Sequence, residues 1–348
     1  MVRKIAPYKK MIIKEKAYPR VGLIGNPSDG YFGKTISFAF SNFSAQVVLY
    51  ESPELEIIPC DKDHSRFGSL DDLLNDVRLH GYYGGIRLLK ATVKKFHDYC
   101  RESDIRLHQQ NFTIRYKSNI PHGVGLAGSS AIITACLRGL MSFYKVSIPK
   151  IEQVQLVYSA EVDELHIPAG LQDRVIQVYE GLVYMNFDQQ IMKEQGHGIY
   201  EEMDHGLLPL LYVAYRENLS EGTEVFHNNI RERFERGEKS VVQAMHFWAE
   251  LTDEARECLL AGRKEKIGGL LNKNFDKRSE IYHIGPGNLS MVEAARSAGA
   301  SAKFTGSGGA IVGTYEDEKM FTELKRHLGK MKIKVIKPKI AISNRGMS

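Results

Sequence analysis

Pro121-His122-Gly123-Val124-Gly125-Leu126-Ala127-Gly128-Ser129-Ser130-Ala131 runs straight into the apolar, helix-compatible stretch Ile132-Ile133-Thr134-Ala135-Cys136-Leu137. Gly123, Gly125 and Gly128 let the backbone bend and approach a ligand closely. A helix opening at the serines sets free N–H groups and a positive dipole end beside that bend, which is the make-up of a phosphate cradle. The cradle is expected to use Pro121, Gly123, Val124, Gly125, Leu126, Ala127, Gly128, Ser129 and Ser130. The serine hydroxyls are hard oxygen donors suited to a phosphate or to a bound Mg²⁺.

Neighbouring residues weigh three identities for this loop. The spacing satisfies G-x-G-x-x-G, but a dinucleotide site also needs an acid about twenty residues later to hold the ribose. Between Ser129 and Ile151 there is no Asp or Glu. Upstream, Phe112-Thr113-Ile114-Arg115-Tyr116-Lys117 alternates apolar and polar as a half-buried antiparallel strand does, whereas the first strand of a dinucleotide fold is buried on both faces. Walker A fails by one residue, because Ser129 stands where the phosphate-gripping lysine belongs. On the residues alone, a tight turn into a packed helix stays open.

Composition fits a globular enzyme. A chain of 348 residues, 43% of them hydrophobic, buries a large core, and its length points to two domains. Lys plus Arg at 47 against Asp plus Glu at 42 leaves +5, a mild excess that suits anionic small molecules and is too diffuse for nucleic acid. Cys60, Cys100, Cys136 and Cys258 form no C-x-x-C pair, so free thiols in a reducing compartment are expected rather than disulfides or zinc. The first ten residues lack an apolar signal core, and no stretch approaches a membrane span, so no membrane partner and a cytoplasmic address are expected.

Strands are expected up to residue 51, with 38–50 read as strand, followed by a helical stretch over 70–99 interrupted at Gly81-Tyr82-Tyr83-Gly84-Gly85. Helices follow at 129–144 and 151–165, then a strand at 182–187. A polar, glycine-containing stretch at 193–206 precedes a strand at 207–215, which places the boundary between domains 1–205 and 206–348. The second half reads as strand, several helices, a glycine loop between two strands, a helix at 317–328 and a strand at 333–336, an α+β layer.

Three separated segments carry a family resemblance. They are Pro19-Arg20-Val21-Gly22-Leu23-Ile24-Gly25-Asn26-Pro27-Ser28-Asp29, the loop at 121–131, and Lys303-Phe304-Thr305-Gly306-Ser307-Gly308-Gly309-Ala310. In that order they resemble the three motifs of the GHMP kinases, the superfamily of galactokinase, homoserine kinase, mevalonate kinase and phosphomevalonate kinase. The resemblance implies a two-domain α+β fold, with an N-terminal domain like ribosomal protein S5 domain 2 and a ferredoxin-like C-terminal layer. It also implies ATP and Mg²⁺ as cofactors.

Between the second and third motifs lies Ala160-Glu161-Val162-Asp163-Glu164-Leu165-His166-Ile167-Pro168-Ala169-Gly170-Leu171-Gln172-Asp173-Arg174. In galactokinases a helix glutamate precedes the catalytic aspartate by twelve residues, the separation of Glu161 and Asp173. The resemblance therefore implies that Ser130 and Glu161 hold the metal and that Asp173 accepts or orients the acceptor hydroxyl proton. Read by themselves, Glu161, Asp163 and Glu164 also suit a solvated helix face, and Asp173 a turn. With no lysine in the loop, helix N–H groups and Mg²⁺ are left to meet the triphosphate charge.

Asn26-Pro27 replaces the Glu-His pair with which galactokinases grip their sugar, which argues against galactose. Asn26 and Asp29 suit sugar hydroxyls, and Arg20 suits the transferring phosphoryl group. Gly25 to Asp29, Gly81 to Leu89, Ala169 to Val175 and Asn274 to Arg278 together resemble the glucuronokinase branch. An acid sugar needs a cation for its carboxylate, for which Arg87 and Arg278 are the candidates, with Tyr82 and Tyr83 beside the sugar. As exposed positions next to buried Leu88 and Leu89, Arg87 and Lys90 equally suit a plain helix surface. The third-motif glycines, Gly308 among them, are expected to shape the cleft around the substrate; read alone they form a hairpin turn. The expected reaction is in-line transfer of the ATP γ-phosphoryl group to the anomeric hydroxyl of a sugar or sugar acid, by a monomer or homodimer. The alternatives are another small-molecule kinase acting on a neutral sugar or heptose phosphate, and a catalytically silent sensor on the same fold.

Overall fold

The computed structural model describes residues 12–60, 63, 84–167, 170–216 and 230–342. Alternation builds the first sheet, β1 (Ile12–Ala17), β4 (Ala45–Ser52), β6 (Asn111–Ser118) and β5 (Glu56–Ile58), in that spatial order. In β4, Ala45, Val47 and Leu49 face the core while the residues between them stay half-exposed, the period of two that a one-sided sheet requires. β6 is antiparallel to β4, as its own alternation implies, and β5 adds parallel to β6.

A second sheet runs β2 (Arg20–Ile24), β3 (Lys34–Ala39), β7 (Leu182–Asn186), β8 (Ile199–Met203), all antiparallel. The expected strand at 38–50 is thus two strands in different sheets. Ser41, Asn42 and Ser44 favour the turn that separates them. The polar stretch at 193–206 likewise holds the end of a helix and all of β8. This strand escapes its pattern because it is a sheet edge whose adjacent Glu201 and Glu202 break the alternation, with Ile199 45% exposed.

The third sheet, β10 (Lys303–Phe304), β11 (Ala310–Thr314), β9 (Leu211–Arg216) and β12 (Ile333–Ile336), is also antiparallel. β9 begins at Leu211 rather than 207, after a 3₁₀ turn at His205–Leu207 and Pro209, which has no N–H to give a ladder. The glycine loop of the third motif joins β10 to β11 as a hairpin.

Ten helices among the described residues cover these sheets. α1 (Gly85–Glu102) turns Leu88, Leu89, Thr92, Phe96 and Cys100 inward at helical spacing; residues 70–83 of the expected 70–99 helix lie outside the described residues. α2 (Gly128–Tyr144) is buried almost all round and packs on β1 and β4. Its one buried cation, Arg138, is paired with Glu180 at 2.8 Å and donates to the carbonyls of Lys16, Gln177 and Val178, which makes its burial tolerable. Next come α3 (Lys150–Val162), α4 (Gln172–Tyr179), α5 (Gln189–Gln195) and α6 (Ile230–Glu235).

α7 (Lys239–Leu260) and α8 (Ile267–Ile281) pack on each other and reach back to the second sheet. α9 (Pro286–Ser297) and α10 (Glu318–Gly329) share a core with the third sheet around Tyr212, Phe304, Met291 and Leu324. Asp317 caps α10 by accepting from Met320 N at 2.8 Å, so the expected helix start is one residue early. Among the described residues no helix is long and apolar enough to cross a membrane.

Candidate active site

The loop at 121–131 takes its shape from left-handed backbone at Gly123 (φ 69°), Gly125 (φ 67°) and Ala127 (φ 58°). Its contacts come from far along the chain. Arg20 N donates to the Leu126 carbonyl at 3.2 Å and Gln177 Nε2 to the Ala127 carbonyl at 2.7 Å. A Cβ at Gly125 would meet Gly308 O at 2.9 Å, and one at Gly306 would meet Gly125 O at 2.5 Å. Glycine is therefore required on both sides for the third-motif hairpin to press on the phosphate loop. Past this contact α2 begins, with the N–H groups of its first turn at the loop's inner edge.

A cleft of about 1050 Å³ opens over the loop, large enough for a nucleotide and a small acceptor. Of the expected residues, Pro121, Gly123, Gly125, Leu126, Ala127, Gly128, Ser129, Ser130, Arg20, Asn26, Asp29, Glu161, Asp173 and Arg278 line it. Val124 and Gly308 do not: Val124 is buried beneath the loop, and Gly308 packs its carbonyl against Gly125. Arg87, on α1, is also absent from the lining, so of the two candidate arginines the cleft holds Arg278. Tyr82 and Tyr83 lie outside the described residues.

Asp173 sits in the first turn of α4, where a carboxylate is favoured by the helix dipole. It accepts from Arg20 Nε at 2.6 Å, while Arg20 Nη1 donates to the carbonyls of Gly125 at 2.6 Å and Thr305 at 2.9 Å. One guanidinium thus ties the acid to the second and third motifs. Asp29, 3% exposed, accepts at both oxygens from Gln172, from its backbone N at 3.2 Å and its Nε2 at 3.1 Å. Burial first and the neighbouring Asp173 second push its carboxyl up to about 6, against the pull of the Gln172 N–H and Arg20.

Ser130 Oγ donates to Glu161 Oε2 at 2.8 Å, so the two expected metal ligands meet. The same oxygen also binds Arg174, a fully buried side chain that donates to the Gly170 carbonyl as well. Glu161 Oε1 has no hydrogen-bond partner among the described residues. A hydroxyl beside an open carboxylate oxygen at the loop fits Mg²⁺, which takes one or two protein oxygens and fills its shell with phosphate and water. No group of three His, Cys, Asp or Glu side chains is placed to hold a metal among the described residues, so an all-protein cage is not what these donors build.

Arg278, 4% exposed, donates from Nη1 to the Gly306 carbonyl at 2.8 Å and lies over the rings of Tyr282 and Phe304. It has no carboxylate partner among the described residues. Tyr31, Tyr282 and Arg231 join the lining, with Arg231 over the Tyr31 ring. None of these three is marked by a motif. Gln172 and Arg174 flank Asp173 in sequence, and adjacency is the signal that would have found them.

Residues 87–181 match the GHMP kinases N terminal domain. The chain is 47% identical over 306 residues to Glucuronokinase 1 of Arabidopsis thaliana, covering 86% of this chain and 84% of that protein. It is 46% identical over 308 residues to Probable glucuronokinase 2 of the same plant, with the same shares of both chains. Among solved structures, mevalonate kinase of Methanococcus jannaschii superposes with a TM-score of 0.71 at 20% identity, over 97% of this chain and all of that one. Lactococcus lactis galactokinase complexed with galactose gives 0.70 at 15% identity, over 95% and 94%. These two show a shared α+β fold. Since the domain match covers the loop at 121–131 and both acids, and a plant relative at 47% identity is matched over 86% of this chain, the chain belongs to the GHMP kinases.

Proposed function

We propose that this GHMP kinase transfers the γ-phosphoryl group of ATP to the anomeric hydroxyl of D-glucuronate, giving D-glucuronate 1-phosphate and ADP. The observation that carries the choice of acceptor is Arg278, a buried guanidinium that lines the cleft with no carboxylate against it among the described residues. A planar fork in that setting suits a sugar carboxylate better than a hydroxyl. The names of the two plant relatives point the same way.

The protein's share of the chemistry is placement. The α2 N-terminus and the loop N–H groups receive the phosphates. Ser130 and Glu161 hold Mg²⁺, which neutralises charge on the phosphate oxygens when bound. Asp173 receives the acceptor hydroxyl, accepting or orienting its proton, and Arg20 keeps that carboxylate fixed beside the loop. Asp29 and Asn26 take the sugar hydroxyls. We assign the nucleotide and most acceptor contacts to a domain of residues 1–205, and Arg278 and the closing hairpin to one of 206–348, in a cytoplasmic enzyme.

A coupled ADP-release assay on glucuronate, glucose and galactose tests the acceptor. Wild type is expected to prefer glucuronate, and Arg278→Met to lose about 10- to 100-fold in kcat/KM on glucuronate while leaving glucose unchanged. Equal kcat/KM for glucuronate and glucose in the wild type overturns the carboxylate assignment.

A further inference from the structure

The third sheet reaches into the first motif through one side chain that the reaction does not use. Lys303, 1% exposed, donates from Nζ to the Gly22 carbonyl at 2.7 Å, to Asn26 Oδ1 at 2.5 Å and to its neighbour's carbonyl on Phe304 at 2.8 Å. An ammonium has three N–H donors and no acceptor, so these three oxygens saturate it. None of the three carries a charge.

The contact decides how Asn26 stands. Only the amide oxygen can face an ammonium, because the amide NH₂ would set donor against donor. The Asn26 backbone is held as well, its carbonyl accepting from Asn274 Nδ2 at 3.1 Å while Asn274 Oδ1 accepts from Gly25 N at 2.7 Å. What remains is Asn26 Nδ2, which has no hydrogen-bond partner among the described residues and belongs to a side chain lining the cleft. Among the described residues, the cation behind it has no counter-charge in contact. Burial draws Lys303 well below the usual lysine range, Arg278 and Arg20 add to that, and Asp29 opposes it.

We propose that Lys303 is a positioning residue for the acceptor: its ammonium locks Asn26 so that Nδ2 is a fixed donor to a substrate oxygen, and places positive charge behind that contact. Both roles presuppose the sugar-acid kinase reading above. An anionic acceptor supplies a counter-charge that no described residue in contact with Lys303 provides, so the effect is larger for glucuronate than for glucose.

Steady-state kinetics on both sugars, with thermal melts, test this in wild type, Asn26→Asp, Asn26→Ala, Lys303→Met and the Asn26→Ala/Lys303→Met double variant. Asn26→Asp keeps an oxygen for Lys303 and removes the donor. It is expected to raise KM for glucuronate about 10-fold with kcat within about 3-fold of wild type. Lys303→Met is expected to do the same in the Asn26 background and, on glucose, where only the positioning role counts, to add less than about 2-fold in the Asn26→Ala background. Wild-type KM in Asn26→Asp overturns the proposal, as do fully multiplicative effects on glucose in the double variant. If Lys303→Met does not fold, Asn26→Asp decides alone. Failure of the kinase reading shows instead in the wild type, as no turnover on glucuronate; the same variants are then compared on whichever acceptor the wild type does phosphorylate.

Discussion

Within one cleft, the proposed phosphate loop and the proposed acceptor side are built by opposite means. The loop is one run of consecutive residues, 121–131, whose backbone is shaped by glycines and by the start of α2. On the acceptor side, Asn26, Asp29, Asp173, Arg278 and Lys303 present side chains that converge from as far as 277 residues apart. Backbone recognition reads charge and shape and tolerates many sequences, provided the φ angles survive. Side-chain recognition reads chemical identity and depends on the whole fold for its geometry.

Substitutions on each side should therefore fail differently. The largest effect is expected at Asp173. Asp173→Asn should lower kcat by about 10²- to 10⁴-fold with little change in KM for ATP. Unchanged turnover in single-turnover kinetics would remove Asp173 from the reaction. Gly125→Ala attacks the other side. Its left-handed backbone costs an alanine about 1–2 kcal/mol, and the new methyl would press on Gly308 O and Ser307 N. A lower melting temperature and a KM for ATP raised about 10-fold are expected, with glucuronate KM little changed. A melt and ATP KM like wild type would mean that the hairpin does not hold the loop.

The smallest effect concerns Asp29. Its carboxyl sits at about 6 in the folded protein against an unfolded value near 3.8, so the folded state takes up the proton first as the pH falls. Stability then declines as the pH rises from about 4 to 6, because the native state binds more protons than the unfolded one across that window. Asp29→Asn removes the titration. The melting temperature of the variant relative to wild type is expected to climb between pH 4 and 6 and to level off above; a flat difference would show that Asp29 titrates alike in both states.

That contrast also explains what could be read from the residues alone. The loop, the start of α2 and the strand at β6 are local patterns, and glycine spacing or alternation is enough to find them. The acids Glu161 and Asp173 look like a helix face and a turn; only family resemblance separated them from those readings. Their actual partners, Arg174 and Arg20, were hidden because a buried guanidinium has no local signature. Arg87 and Arg278 were equal candidates until the fold put one in the cleft. Edge strand β8 and the break between β3 and β4 escaped for a different reason, since adjacent glutamates at an edge break the alternation and a short turn between strands leaves the apolar pattern nearly unchanged.

Arg20 has a consequence for anyone who would move this site to another scaffold. Its guanidinium, itself part of the first motif, touches Asp173 and residues of the second and third motifs at once, so neither the loop nor the acid-bearing helix is a transferable part. A chimera carrying residues 121–131 and 161–174 but not the β10–β11 hairpin would leave Arg20 without its Thr305 acceptor and with freedom to swing. It would keep the recognisable sequence of a kinase while losing the alignment between phosphate and hydroxyl.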